Sequence, residues 1–226
     1  MQFSTDLFSH MSRAIIIMTK VPVAGKVKTR LSPQFPAEQS AMLAECFLRD
    51  TVCKAKSLEN NLIIAYSPVG KLNVLQEILP EQKTFIEQKG ANLGARMFHA
   101  FEFAFAQNLN SVVMIGTDSP TLPEKFIAQA FENLSESEAV LGKTTDGGFY
   151  LIGLRKVIKE IFEAVEWSSP KTFEQTARNI ENLNLKLSLL PNWYDVDTPD
   201  DLKRLKKDLS KNPSIAPKTF EFLENL

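Results

Sequence analysis

The stretch Val112-Val-Met-Ile-Gly-Thr-Asp-Ser-Pro-Thr-Leu122 sets the reading of the chain. Four apolar residues in a row, three of them β-branched, predict a strand buried on both faces. Gly116-Thr-Asp-Ser-Pro120 then predicts a loop, and Leu122–Leu134 a helix. A buried strand that passes through a polar loop into a helix is the unit of a mostly parallel sheet covered by helices.

The same alternation extends in both directions. On the N-terminal side, Ala14–Met18 predicts a strand. Ala41, Ala44, Phe47/Leu48, Val52, Ala55 and Leu58 recur at spacings of three and four, which predicts a helix over 37–58 opened by Pro36. Strands follow at Leu62–Tyr66 and, more weakly, Thr84–Glu87, then a helix over Leu93–Gln107. On the C-terminal side, strands at Ala139–Leu141 and Phe149–Leu154 flank a Gly-Gly turn. Phe173–Leu183 reads as a helix, Leu185–Leu190 as extended, and Pro199–Leu209 as a helix with Thr198 as N-cap. The expectation is one α/β, Rossmann-like domain over 13–210, after a flexible extension 1–12. The tail 211–226 could dock as a helix, with Phe220, Phe222 and Leu223 covering a dimer contact or the domain's own sheet edge.

Composition bounds the function. Apolar residues make up 44% and charged residues 23%, enough for a real core, and the formal charge of −1 gives no field that would draw a nucleic acid. The start of the chain lacks the basic-then-apolar pattern of a signal peptide, and no apolar run could cross a bilayer, so a cytoplasmic protein without membrane partners is expected. Cys46 and Cys53, two helical turns apart, read as core filling rather than a disulfide. His10 in the extension and His99 in a phenylalanine-rich helix leave no expectation of zinc. Nothing in the sequence fixes an oligomeric state.

Ligands of such sheets sit beyond the carboxyl ends of the strands, and four loops there carry chemistry. Lys20-Val-Pro-Val-Ala-Gly-Lys-Val-Lys-Thr-Arg30 sets Lys20, Lys26, Lys28 and Arg30 around Gly25, which suits a polyphosphate by charge and close backbone approach. It is equally a solvated basic loop, and it lacks the Walker glycine. Asp118 can aim its carboxylate into the cleft to hold a divalent cation, or merely cap the following helix. Asp146-Gly-Gly148 either admits a ligand closely or forms an ordinary hairpin turn. Asp195 and Asp197 alternate on an extended segment and so share a side, where a cation or basic partner must offset their repulsion. Asp200 and Asp201 belong to the next helix's first turn. A haloacid-dehalogenase reading of Asp195-Val-Asp197 is rejected because the motif is C-terminal and Pro199 occupies its fifth position.

Together and in order, these loops resemble the DUF2064 family, also called radical-SAM/selenodomain-associated transferase type 1. The matching stretches are Lys20–Leu31, Asn92–Met97, Gly116–Leu122, Asp146–Leu154, Trp167 with Thr176, and Asp195–Leu202. The resemblance runs from about Ala14 to Leu202. It implies a GT-A-like nucleotide-diphospho-sugar transferase fold, a mixed, mostly parallel sheet flanked by helices. It further implies Lys20, Gly25, Lys26, Lys28 and Arg30 at the nucleotide phosphates, and Mg²⁺ or Mn²⁺ held by Asp118 and Asp197. Asp118, Asp146 and Arg30 would act in catalysis, and Gly147 and Gly148 would face substrate, while Trp167 either closes one wall of the substrate pocket or simply packs.

Three departures from the family pattern, at Lys89, Asn92 and Gly142-Lys-Thr-Thr145, fall on the presumed substrate side. The expected activity is glycosyl transfer from a nucleotide sugar to a small-molecule acceptor. Nucleotidyl transfer from an NTP to a phosphorylated acceptor is the alternative, and non-catalytic nucleotide binding a third.

Overall fold

The structure, a computed structural model, describes residues 12–31 and 35–226. Seven strands form one sheet: β1 Arg13–Lys20, β2 Leu62–Ser67, β3 Thr84–Glu87, β4 Ser111–Gly116, β5 Ala139–Thr144, β6 Phe149–Leu154 and β7 Leu187–Trp193. Their order is β3-β2-β1-β4-β6-β5-β7. The β1–β2, β1–β4, β2–β3 and β5–β7 pairs are parallel. Only β6 runs antiparallel, between β4 and β5. The segment Thr145–Gly148 is far too short for a crossover, so β5 must turn back as a hairpin. This is the expected mixed, mostly parallel fold.

Period-2 alternation builds the two core layers. Ile15, Ile17, Ile64, Val113 and Ile115 face one side, covered by α1 (Ala37–Leu58), α2 (Leu72–Ile78) and α4 (Glu124–Asn133). Ala14, Ile16, Ile63, Val112 and Met114 face the other, beneath α3 (Leu93–Phe105) and α5 (Thr172–Asn182). A third cluster joins Leu31, Leu43 and Phe47 to Tyr194 and Val196, to Leu205 and Leu209 of α6 (Pro199–Lys211), and to Leu223 of α7 (Pro217–Glu224). Helix α1 has the predicted limits, and Thr198 caps α6 in a full capping box with Asp201.

The segment 211–226 does dock. The buried Asp50 carboxylate accepts hydrogen bonds from the Lys218 and Thr219 amides, at 3.0 and 2.8 Å, and from the Thr219 hydroxyl. Phe220, Phe222 and Leu223 pack in the third cluster with Leu31 and Phe35, on the domain's own helices rather than its sheet edge.

Some expectations fail. Cys53 is exposed and Cys46 half-buried, because α1 turns Phe47, Leu48, Val52 and Ala55 inward and leaves the thiols on its other side. Helix α2 has no counterpart in the sequence reading. His10 and residues 1–11 of the N-terminal extension lie outside the described residues. Among the described residues, no helix is long and apolar enough to cross a membrane.

Candidate functional site

Strands β1 and β4 are adjacent and parallel, so the loops leaving their carboxyl ends meet at one rim. A cleft of about 890 Å³ opens there, lined by Lys20, Lys28, Arg30, Asp118, Asp195 and Asp197 among others. Backbone pairing fixes its geometry before any side chain acts. The Val196 amide, beyond the end of β7, donates to the Asp118 carbonyl at 2.8 Å, which brings the two acidic loops side by side.

Lys28 closes this junction. Its ammonium donates to Asp118 Oδ1, to the Val196 carbonyl at 2.8 Å and to Asp197 Oδ1 at 3.2 Å. The Lys28 side chain is 6% exposed, against 50% for Asp118 and 35% for Asp197, so the cation is enclosed while its carboxylates still face the cleft. Burial pulls the Lys28 ammonium down, but the charges of Asp118 and Asp197 more than offset this and hold it above its ordinary value. Arg30 adds an exposed guanidinium 3.7 Å from Asp197 Oδ2.

Asp195 lies between the buried Tyr194 and Val196 and turns its side chain to the cleft. Burial, and then the negative charge of Asp118, raises its pKa to about 7, partly countered by the hydrogen bond that Ser119 Oγ donates to it. The alternation in Asp195-Val-Asp197 is borne out in that both side chains line the cleft. The sequence pairs Asp195 with Asp197, but the resemblance gives the metal to Asp118 and Asp197 alone; the buried Tyr194 and Val196 lie on the opposite face of the same extended segment.

On the far side of the cleft stands the β5–β6 hairpin. Asp146 Oδ1 accepts from the Thr144 hydroxyl and from the Gly148 amide at 3.1 Å, so this carboxylate closes its own turn. It also lines the cleft with Gly148. Gly147 has φ +93°, and a Cβ there would sit 2.1 Å from the Pro170 carbonyl. Only glycine lets the hairpin touch the loop before α5, an approach sealed by the Phe173 amide donating to the Gly147 carbonyl.

Not every expected residue reaches the cleft. Gly25 and Lys26 are exposed in a turn and do not line it, because the chain rises from β1 through Val23 before folding back at Val27. Trp167 packs behind the wall, edge-on to Phe149 at 6.4 Å and against Gly94, where a Cβ would fall 2.4 Å from the indole. Lys28, expected at phosphate, is instead bound to the carboxylates.

A second buried lysine escaped sequence reasoning. Lys54 of α1 donates to the Pro120 and Leu122 carbonyls at 2.9 and 2.6 Å, gripping the Asp118 loop from behind.

Could the site hold a divalent cation? Among the described residues, no three carboxylate, imidazole or thiolate groups gather closely enough to cage one. Two carboxylates and a carbonyl already surround a positive charge, however, and hard oxygen donors suit Mg²⁺ or Mn²⁺. Such ions often take only one or two carboxylates and complete their shell with phosphate oxygens and water. The donor set fits.

The profile of a family described as uncharacterized protein conserved in bacteria (DUF2064) matches residues 51–169. A structure from Desulfovibrio desulfuricans G20, provisionally named a nucleotide-diphospho-sugar transferase, is 31% identical and superposes with a TM-score of 0.89 over 94% of each chain. Two distant structures share the fold. The 4-diphosphocytidyl-2C-methyl-D-erythritol synthase of Anaerococcus prevotii DSM 20548 is 12% identical, with TM-score 0.59 over 88% of this chain and 98% of its own. The manganese complex of Rv0371c from Mycobacterium tuberculosis H37Rv is 13% identical, with TM-score 0.51 over 86% and 97%. No curated protein matches by sequence.

Proposed function

The chain belongs to the DUF2064 family, and from that membership we propose that it is a transferase acting on a nucleotide-diphosphate sugar, with Mg²⁺ or Mn²⁺ at Asp118 and Asp197. One observation carries the reading: cations from the β1 loop and carboxylates from two distant loops converge at the carboxyl rim of β1 and β4, in a cleft large enough for a nucleotide. The name of the 31% identical structure supports the substrate class.

In this reading Lys20 and Arg30 hold the phosphates and stabilise charge on the departing diphosphate. The bound cation would supply Lewis-acid neutralisation of the same charge. Asp146, across the cleft, orients an acceptor hydroxyl, and the close Gly147–Pro170 packing keeps that wall rigid. Asp195, which accepts from Ser119 beside Asp118, ties the two acidic loops together.

The test is calorimetry with Mn²⁺ and UDP, GDP or CDP on the wild type and on Asp118→Ala. Wild-type binding that requires the metal and vanishes in the variant supports the reading; binding that ignores both refutes it. A second reading, nucleotidyl transfer, is favoured by the four cations lining the cleft, Lys20, Lys28, Arg30 and Arg96, since a triphosphate carries more charge to compensate. Its fold relative is a diphosphocytidyl synthase by name. Release of pyrophosphate from an NTP identifies this chemistry, and release of a free nucleoside diphosphate from a nucleotide sugar identifies glycosyl transfer.

A further inference from the structure

An ammonium has three N–H donors, and those of Lys28 are all taken, by Asp118, Asp197 and the Val196 carbonyl. The nitrogen also sits 5.3 Å from the Phe47 ring centroid, with apolar surface on its remaining side. A group held in this way cannot bind a phosphate and admit a divalent cation while it stays in place. It stands where that cation would have to stand.

The two carboxylates are 50% and 35% exposed, so solvent ions reach them, but the charge they would offer an ion is already compensated. Two carboxylates also make an incomplete cage, and the ligands still missing are those a diphosphate supplies. Arrival of the diphosphate would provide a competing anion for the lysine and the missing oxygens for the metal in the same event.

Building on the proposed metal-dependent nucleotide site, we infer that Lys28 is a resident placeholder cation. It keeps divalent ions off the Asp118–Asp197 pair until a nucleotide diphosphate draws the ammonium onto its phosphates. Metal and nucleotide therefore bind as a coupled pair, and the free protein carries little metal. The coupling is reciprocal: whatever the nucleotide adds to metal affinity, the metal adds to nucleotide affinity.

The experiment is titration of Mn²⁺, followed by its electron paramagnetic resonance signal, into wild type and Lys28→Met without nucleotide, and then with UDP, GDP and CDP in turn. The expected result is weak uptake by the free wild type and uptake at least about tenfold tighter by free K28M. Nucleotide should strengthen uptake by the wild type but add little to the variant beyond the Mn²⁺–nucleotide complex formed in solution. Asp118→Asn should abolish both. If circular dichroism shows K28M unfolded, K28Q, which keeps a donor for the Val196 carbonyl, replaces it.

Equal Mn²⁺ affinity in free wild type and variant overturns the placeholder role and leaves the metal-dependent reading standing. So does a variant that takes up no Mn²⁺ alone while the wild type takes it up with nucleotide. Absence of uptake by every protein with every nucleotide overturns the metal-dependent reading, and the placeholder with it.

Discussion

Lys28 and Lys54 bury their ammonium groups against the same loop after β4, Lys28 from the cleft and Lys54 from helix α1 behind it. Their partners differ. Lys28 meets two carboxylates, which outweigh the cost of burial and hold its pKa above the ordinary value. Lys54 meets two carbonyls, and burial pulls it down to about 8, only partly offset by the charges of Asp50 and Glu124. A carbonyl dipole satisfies an ammonium's hydrogen bonds without repaying its lost hydration, whereas a carboxylate does both. Behind the loop the result is a fixed strut. In front it is an ion pair, which a ligand of the right charge can exchange. The loop that carries Asp118 is thus held rigidly on one side and poised electrostatically on the other.

The sharpest way to break this contrast is to remove one partner from each side. Asp118→Ala should cost about 3–4 kcal/mol of nucleotide binding in Mn²⁺, measured by calorimetry, because the metal's neutralisation is worth several kcal/mol. Its melting temperature should fall modestly, because the enclosed Lys28 ammonium keeps only Asp197 and the Val196 carbonyl. Lys54→Met should do the reverse, costing about 2–3 kcal/mol of stability to chemical denaturation by leaving the Pro120 and Leu122 carbonyls without a donor. Nucleotide affinity should fall only as far as the loop loosens.

The same variant carries a pH signature. Between pH 8 and 10.5 the unfolded chain keeps the Lys54 proton and the folded chain has lost it. Stability from this group therefore rises with pH across that window, and Lys54→Met should flatten the rise. Asp50→Asn sharpens the point from one helical turn away. It should weaken the docking of α7 by about 1–2 kcal/mol and, by removing a favourable charge, extend the Lys54 window below pH 8. The smallest effect is expected for Arg30→Ala. Its surface pair with Asp197 should be worth under about 0.5 kcal/mol of stability, while loss of its charge from the cleft lowers nucleotide affinity a few-fold.

What the sequence revealed, and what it hid, follows from range. Val112–Ile115 announced a doubly buried strand, the Ala41–Leu58 spacing announced α1, and Thr198 announced its helix, because each depends on residues within a few turns. Asp118 and Asp197 could be placed at the rim because the ends of buried strands are where α/β sheets bind ligands. The partner of Lys28 was illegible. It sits 90 and 169 positions from the two carboxylates it joins, and in a neutral chain a lysine in a basic loop reads as solvent or phosphate. Lys54 hid differently: lying between the inward-facing Val52 and Ala55, it breaks the apolar stripe, and only the fold shows carbonyls waiting behind it. Cys53 was misplaced because two-turn spacing fixes a shared face without saying which face is buried.

In this proposal Asp118 and Asp197 form one cation site that the Lys28 ammonium and a divalent metal occupy in turn. A crystal grown with Mn²⁺ and a nucleoside diphosphate tests it most directly, through the anomalous signal of the metal. A manganese peak is expected between Asp118 and Asp197, with the Lys28 ammonium moved onto phosphate oxygens. A nucleotide bound with Lys28 still between the two carboxylates, or with manganese elsewhere, would contradict it.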